Sequence, residues 1–463
     1  MNDLETTPGF DFILDPFGQQ PSLNIYTQLT SCYNLPDTIS YPDLIDVLQD
    51  GLRRLSANFP WVAGQVVKTK SSDDAGDSGT FRIRPSDVLP PLAVQDLRED
   101  ESTPTMAQMK EARFPFSMLD ETVVAPINTF PDPSISPLPV FAMQATIVNG
   151  GFLLTFLAHH QVMDMTGLGQ IMHLLSKACY RESYTEEEFL VGNLTRDSII
   201  PLLEDDWRPT TVAQDEKEVA PQVKEQSDED EASEAPSCSW VYLSFGADKL
   251  AALKSMASEA IQNSPTEFVS TDDSLSAFIW QTVARIRLAR FKPTKKTTFA
   301  RAVDPRRFLD IPVTYAGLVQ NMTYHTRTLQ ELTDGPLGEI ASNLRAAVDP
   351  RTSTLGHDTR ALATMLDRAP DKSKVSVTSA LDLSSDIMLS SWANAKSYDL
   401  DFNLSLGKPE AVRRPRFTPV ESLVYLMPKR TDGEIVVALC LRDQDMDRLR
   451  ADEEVRKFAT FIG

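Results

Sequence analysis

Two adjacent histidines followed by an aspartate form the strongest chemical feature of the sequence. His159, His160 and Asp164 lie in the run HHQVMD, and the chain contains only five histidines. An imidazole has an unperturbed pKa of about 6.5, so it can accept a proton from a hydroxyl or an amine near neutral pH. Neighbouring residues at a strand end point to opposite faces. One histidine is therefore predicted to react and the other to support it.

This geometry argues against a metal site, because His159 and His160 would diverge and no other histidine has ligand-like spacing. Asp164 could orient the reactive histidine, or it could pair with an arginine and hold the turn rigid; we favour the second role. The alternative interpretation is a buried histidine pair packed under a hairpin, with Asp164 as the N-cap of the next helix.

Helices and strands must position this motif. Residues 140–148 and 152–158 are rich in strand formers and flank Asn149-Gly150-Gly151, a hairpin signal because the turn needs positive φ. Apolar residues at helical spacing predict helices over 43–58, over 166–179 and over 272–290, the last opened by a cap at Ser270-Thr271-Asp272-Asp273. Strands are also expected near 64–67 and 81–83, on either side of a polar loop. A mixed α/β architecture follows.

Length and charge limit the class of protein. The 463 residues suit two domains, and a net charge of -21 repels phosphate polymers and anionic lipids, so nucleic-acid binding is not expected. The sequence lacks a long apolar run and a signal-like start, which predicts a cytoplasmic protein without a membrane segment. The four cysteines are far apart, so reduced thiols are expected rather than a metal pair or a disulfide framework.

An acidic stretch divides the chain. Residues 204–234 hold twelve acidic and three basic residues, two prolines and almost nothing apolar. Such a segment cannot bury enough surface to offset its ordering entropy. The predicted organisation is an N-terminal domain over 1–203, a mobile linker over 204–238 and a C-terminal domain over 239–463. Deletion of most of 215–234 is expected to leave folding and turnover largely intact.

The motif HHxxxD and several longer segments resemble the BAHD family of acyl-CoA-dependent acyltransferases, and in particular its fungal members that acetylate trichothecenes. The segments include PSLNIYTQLT, FVSTDDSLSAFIW, YAGLVQNMTYH and LRDQDMDRL. The resemblance implies two chloramphenicol-acetyltransferase-like domains, each a mixed β-sheet with flanking helices, and an active-site tunnel at their interface. A monomer is expected, because two domains already create the cleft.

The resemblance assigns roles to individual residues. His160 corresponds to the general base, Asp164 to the aspartate that stiffens the catalytic turn, and His159 to a supporting residue. The second family signature, DFGWG, falls on residues 401–405, where both glycines and the tryptophan are replaced. In the family this segment is structural and its aspartate pairs with an arginine, which implies an ion pair between Asp401 and Arg306.

The implied reaction is direct transfer of an acetyl group from acetyl-CoA, a co-substrate rather than a tightly bound cofactor. The acceptor would be a small apolar alcohol, a secondary hydroxyl of a trichothecene-like sesquiterpenoid. The indole of Trp392 would stabilise the oxyanion, although a mere packing role for this residue is equally compatible with the sequence.

An anionic CoA must bind to an acidic protein, and a basic stretch over 285–307 could attract its phosphates. A second basic cluster comprises Arg413, Arg414 and Arg416. By family position and charge, the candidate CoA contacts are Ser270, Thr271, Arg301, Asn321, Ser390, Ser391 and Arg413.

Three other functions remain open. The acceptor could be another alcohol or amine of fungal secondary metabolism. A condensation domain of peptide synthesis shares HHxxxD but usually has glycine after the aspartate, where Met165 stands here. A non-catalytic relative could bind a small molecule, although intact His160 and Asp164 argue against it.

Overall fold

The computed structural model describes residues 9–69, 79–86, 89–209, 222–223, 236–259, 261 and 266–463. The predicted acidic linker lies mostly outside the described residues, as does the polar loop tip over 70–78. Among the described residues, no helix combines the length and the apolar character needed to cross a membrane.

Short and long strands alternate with helices along the described chain. The strands are β1 Phe12–Ile13, β2 Tyr26–Asn34, β3 Gln65–Thr69, β4 Thr80–Arg84, β5 Leu92–Asp96, β6 Leu138–Pro139, β7 Phe141–Val148, β8 Gly151–His159, β9 Gln222–Val223, β10 Cys238–Phe245, β11 Lys296–Val303, β12 Asn321–Thr328, β13 Val375–Ser376, β14 Ile387–Ser391, β15 Ala411–Arg413, β16 Leu423–Leu426, β17 Ile435–Arg442 and β18 Thr460–Ile462.

The helices begin and end close to the sequence-based predictions at the motif. They are α1 Tyr41–Asn58, α2 Met106–Glu111, α3 Glu121–Val124, α4 Met165–Cys179, α5 Glu186–Gly192, α6 Ala247–Glu259, α7 Thr271–Arg287, α8 Leu329–Asp334, α9 Leu337–Ala346, α10 Leu355–Arg368, α11 Asp443–Ala451 and α12 Glu453–Phe458. The helix predicted over 272–290 ends earlier, at Arg287.

Two large sheets organise these elements. A five-stranded sheet has the order β15-β2-β8-β7-β5, and a seven-stranded sheet has the order β12-β11-β14-β16-β17-β10-β18. A smaller four-stranded sheet, β1-β4-β3-β6, contains the two strands predicted near 64–67 and 81–83, and these pair antiparallel as β3 and β4. The mixed α/β prediction is confirmed.

Strand β8 lies at the centre of the five-stranded sheet, where it pairs antiparallel with both β2 and β7. The β7–β8 hairpin turns at Asn149-Gly150, and Gly150 has φ +72°. This left-handed conformation favours glycine because it has no Cβ. Every residue of β8 is buried. The motif thus follows a strand that is fixed on both edges.

Helices α1 and α4 cover this sheet. Leu48 and Leu52 of α1 and Leu168 and Ile171 of α4 are buried in one hydrophobic cluster with Phe156 of β8. Burial of such side chains contributes about 1.5–3 kcal/mol each. The turn that carries the motif is therefore held between a central strand and a buried helix.

One strand from the C-terminal half of the chain joins the N-terminal sheet. β15, from the C-terminal half, pairs antiparallel with β2 in the N-terminal sheet, with Val412 opposite Ser31. The predicted domain bounds place these two strands in different domains. This pairing brings the residues after β15 beside the N-terminal sheet.

Candidate active site

The motif occupies the turn between β8 and α4. The amide of His160 donates to the carbonyl of Ile25 at 2.8 Å, and the amides of Val162 and Met163 donate to the carbonyl of His159. His159 is fully buried with its ring against Asn24, whereas His160 is half-buried with its ring at the Met163 carbonyl, so the two side chains diverge as strand alternation predicts.

His160 has one ring nitrogen engaged and one free. Its Nδ1 lies 3.3 Å from the carbonyl oxygen of Met163. A carbonyl only accepts, so Nδ1 carries the proton and Nε2 presents its lone pair. No hydrogen-bond partner for Nε2 exists in the part of the chain that the structure describes. The ring is half-buried.

Burial lowers the pKa of His160 below 6.5. The Met163 carbonyl and Asp164 raise this pKa, whereas the positive charge of Arg414 lowers it further. The imidazole is consequently neutral at physiological pH and able to accept a proton.

His159 has a different environment. It is fully buried; its Nε2 donates to Oδ1 of Asn24 at 3.0 Å, and its ring contacts Tyr26 edge-on. Burial, followed by the proximity of His160, lowers its pKa to about 3. A buried neutral ring with these contacts supports the strand end. Among the described residues, no group of three or more His, Cys, Asp or Glu side chains could hold a metal ion.

Asp164 joins the two halves of the chain. Its Oδ1 accepts from the amide of Gly167 at 2.8 Å and so caps α4, while its Oδ2 accepts from the amide of Val319 at 2.9 Å. The Nη2 atom of Arg306 lies 2.9 Å from Oδ2. Burial raises the pKa of this carboxyl, and Arg306 and the amides oppose that effect. The N-cap and arginine-pairing roles, considered separately from the sequence, are both fulfilled.

The loop that carries Val319 approaches α4 closely. A Cβ on Gly167 would lie 2.6 Å from the carbonyl oxygen of Ala316. Only glycine allows this backbone contact. The carbonyl of Gly317 also accepts from Nη2 of Arg306, at 2.7 Å.

The expected ion pair between Asp401 and Arg306 is wrong. Arg306 is buried against Asp164 and Asp304, whereas Asp401 is exposed and its carboxylate accepts from the amide of Asn403. Asp164 is the carboxylate buried beside this guanidinium, and leaving either charge unpaired there would be costly. The segment over 401–405 is still structural, since Phe402 packs on Phe156 with ring centroids 5.2 Å apart.

Trp392 follows β14, and its indole N–H already has a hydrogen-bond partner. The Nε1–H group donates to Oγ of Ser390 at 3.1 Å, and the ring packs against Tyr425 with centroids 4.7 Å apart. Trp392 is buried, and Ser390 is half-buried. The hydroxyl hydrogen of Ser390 has no acceptor among the described residues.

The predicted CoA contacts at the start of α7 have structural partners. Ser270 forms a capping box with Asp273, and Arg301 donates to Oδ1 of Asp273 and of Asp272, each at 2.9 Å. Ser391 donates to Asp272. This network joins α7, β11 and β14, so Arg301, Ser270 and Ser391 position the strand end that carries Trp392 rather than lie free for a phosphate. Thr271 is half-buried in the first turn of α7.

Two further predicted contacts are also internal. Asn321 donates from Nδ2 to Thr359 at 3.0 Å and accepts from the amide of Met322. Arg413 is buried and donates to the carbonyls of Val412 and Arg113. The phosphate contact of Arg413 stays a prediction, and in this structure its guanidinium is bound to carbonyls within the protein.

The basic stretch over 285–307 is likewise largely paired within the protein. Arg285 binds Asp452 and Arg290 binds Asp445, both at 2.7 Å. The arginines of this stretch therefore pair with acidic residues of the C-terminal half. These partners are distant in the chain, so the sequence could not identify them.

Sequence reasoning missed two partners of the motif, Asn24 and the amide of Val319. Both lie in segments that carry the family resemblance, but a backbone amide or a single asparagine has no signal of its own. Arg414 was placed only in a basic cluster, and its position beside His160 was not predicted.

Comparison with known proteins identifies the family. A model described as the Transferase family matches residues 120–456, and a model of the trichothecene 3-O-acetyltransferase-like N-terminal domain matches residues 25–179. The chain belongs to this BAHD-type transferase family. Its fold is the two-domain fold of that family.

The transferase has close relatives over its whole length. It is 49% identical to O-acetyltransferase dmxR13 of Cryptosporiopsis sp. over 97% of both chains. It is 46% identical to a trichothecene 3-O-acetyltransferase of Saccharomyces cerevisiae, over 97% of this chain and 95% of the relative. The crystal structure of TRI101 from F. sporotrichioides with coenzyme A and T-2 superposes with a TM-score of 0.90 at 45% identity, covering 98% of this chain and all of the other. The transferase is an acyltransferase.

Proposed function

We propose that this transferase moves an acetyl group from acetyl-CoA to a secondary hydroxyl of a trichothecene-like sesquiterpenoid, with His160 as the general base. The observation that carries the proposal is the tautomer of His160, whose Nδ1 is held by Met163 while Nε2 is free. The relatives named for trichothecene acetylation support the acceptor class.

In the proposed reaction, Nε2 of His160 takes the hydroxyl proton as the alcohol oxygen attacks the thioester carbonyl. The tetrahedral oxyanion collapses, the C–S bond breaks, and the imidazolium returns the proton to the CoA sulfur. The products are the acetyl ester and free CoA, and no acyl-enzyme is formed. A positioned base contributes about 10²- to 10⁴-fold to such a reaction.

We assign oxyanion stabilisation to the Ser390 hydroxyl, with Trp392 as its positioning residue. Because the indole N–H donates to Ser390 Oγ, the Ser390 hydrogen is directed elsewhere and is available to a substrate oxygen. One such donor is worth about 10²- to 10³-fold in kcat. Asp164 and Arg306 hold the catalytic turn during the reaction.

A second acceptor class is supported by one comparison. The relative with 49% identity is named an O-acetyltransferase without reference to trichothecenes. Another alcohol of fungal secondary metabolism is therefore the alternative acceptor, with the same base and the same acetyl donor.

The test is release of free thiol from acetyl-CoA with the purified full-length protein. The acceptor panel contains a trichothecene with a free 3-hydroxyl, the same compound blocked at that position, and unrelated sesquiterpenoid and phenolic alcohols. We expect release with the first compound only, and loss of release in His160→Ala. His173→Ala is the matched control, because this half-exposed histidine of α4 pairs with Glu188.

Release with another alcohol alone would favour the second acceptor class. Full turnover in His160→Ala would contradict the assigned base, and no release with any alcohol would contradict the enzymatic function.

A further inference from the structure

Arg414 is a buried cation without a close carboxylate. Its side chain is 3% exposed, and no Asp or Glu oxygen of the described residues lies within 4.0 Å of it. Its Nη2 donates to Oγ1 of Thr129 at 3.3 Å, while its Nε atom has no partner. Beyond Thr129 lies Glu121, which accepts from the Thr129 amide. Burial of a charge is costly, so such an arrangement needs other compensation.

Aromatic rings supply that compensation. The guanidinium carbon lies 4.2 Å from the ring centroid of Phe417, 4.8 Å from that of Tyr425 and 5.6 Å from that of Trp392. The negative face of an aromatic ring attracts a desolvated guanidinium. The charge is thus stabilised by ring faces rather than by a direct ion pair, and it lies against the indole of Trp392.

The same charge acts on the catalytic turn. Arg414 is close enough to lower the pKa of His160. The other charged neighbour of His160 is Asp164 on its own turn, which raises this pKa, and the adjacent His159 is neutral. Arg414 follows β15, which joins the N-terminal sheet, and its guanidinium carbon lies 5.6 Å from the ring centroid of Trp392. Its Nη2 donates to Thr129, whose carbonyl accepts from the amide of Tyr26, and the neighbouring Ile25 carbonyl accepts from the amide of His160.

We propose that Arg414 is an electrostatic positioning residue of the active site, which holds Trp392 by its ring face and favours the negative charge that develops on the thioester oxygen and sulfur during transfer. A fixed positive charge in a dry site stabilises such charge far more than it would in water. The proposal rests on the proposed function, since it concerns the charge formed by that reaction.

Arg413 is the matched comparison. It is also 3% exposed, also lies over a ring, Tyr242 at 5.3 Å, and also has an unpartnered Nε. It contacts the carbonyls of Val412 and Arg113 on the other side of the strand. The variant Arg413→Gln therefore also removes a buried arginine and its packing, but it leaves the charge of Arg414 in place.

The first experiment compares Arg414→Gln, Arg414→Lys and Arg413→Gln in kcat and in the pH dependence of kcat/KM. Removal of the positive charge raises the pKa of His160, so the acid limb in Arg414→Gln is expected to move to higher pH by roughly half a unit or more. We also expect kcat to fall at least about tenfold. Arg414→Lys keeps the charge and loses the planar stacking, so its acid limb should stay near the wild-type position.

A second measurement does not need the acceptor. The pH dependence of His160 modification by diethyl pyrocarbonate, followed on the peptide that contains it, reports its protonation directly. A higher midpoint in Arg414→Gln, but not in Arg413→Gln, is expected even if the acceptor is not a trichothecene. Equal midpoints in all folded variants would overturn the proposal. If Arg414→Gln does not fold, Thr129→Val takes its place, because it removes the hydrogen bond that holds Nη2 of Arg414. Arg414→Lys, which keeps the charge, is then the control. A displaced midpoint in Thr129→Val alone supports the proposal, and an unchanged midpoint in Thr129→Val overturns it.

Discussion

The Oδ2 atom of Asp164 lies 2.9 Å from Nη2 of Arg306, so the turn that carries His160 is tied to a residue more than a hundred positions away. Both side chains are buried. Removing one partner of a buried pair leaves an uncompensated charge and typically costs about 3–5 kcal/mol. We therefore expect Arg306→Met and Asp164→Asn each to lower the free energy of unfolding by several kcal/mol in urea titrations.

The double variant separates the pair from other effects. Because the double variant leaves only Asp304 without its partner, and this side chain is 41% exposed, Asp164→Asn/Arg306→Met should lose less stability than the two single losses added together. The exposed pair of Arg53 and Asp50 is the control, and Arg53→Gln should cost less than about 1 kcal/mol. Strict additivity of the buried variants would show that the two side chains are not coupled.

The activity of the wild-type protein should depend on pH through His160. A general base works only when unprotonated, and burial holds the pKa of His160 below 6.5. The profile of kcat/KM is therefore expected to be level at neutral pH and to fall on the acid side, with a midpoint below 6.5. Circular dichroism over the same range separates protonation from unfolding. A midpoint above 6.5, or activity that is independent of pH down to 5 in the folded protein, would argue against this base.

His159 should affect stability rather than chemistry. Its pKa is about 3 in the folded protein and about 6.5 when exposed, so the unfolded chain binds a proton between these values that the folded chain does not. Stability is then present above pH 6.5 and is lost as the pH falls, by at most about 1.4 kcal/mol per pH unit.

The variant His159→Gln tests this contribution. Glutamine can still donate to Asn24 but takes up no proton, so the unfolding free energy of the variant should fall less steeply between pH 6 and 4 than that of the wild type. His357→Gln, at an exposed histidine, is the control. Equal slopes in the wild type and His159→Gln would show that His159 is not buried in its neutral form.

The elements around the motif could be predicted because their signals are local. The hairpin at Gly150 needs a positive φ, and the cap at Ser270 satisfies amides three residues away. Divergence of His159 and His160 follows from the alternation of a strand.

Pairing between distant residues had no local signal. The sequence offers Asp164 and Asp401 as equally acidic partners for Arg306, and only burial distinguishes them. The pairing of β15 with the N-terminal sheet, which brings Arg414 close enough to lower the pKa of His160, joins segments far apart in the chain. Charge counts were misleading for the same reason, since Arg301 and Arg290 are bound by acids from other segments.

The replaced second signature suggests a stabilising substitution. Asn403 and Ser405 stand where the family signature has its glycines, and their φ angles are +58° and +55°. This conformation costs a serine roughly 1–2 kcal/mol, whereas asparagine tolerates it better. Glycine removes that cost, but its greater conformational freedom in the unfolded chain lowers the free energy of unfolding by about 0.4–1 kcal/mol. Since the first effect is larger, Ser405→Gly should raise the free energy of unfolding by about 0.5–1 kcal/mol. Ser405→Ala, which removes the exposed hydroxyl but keeps the Cβ, should give no such gain, and equal urea midpoints for the two variants would refute the explanation.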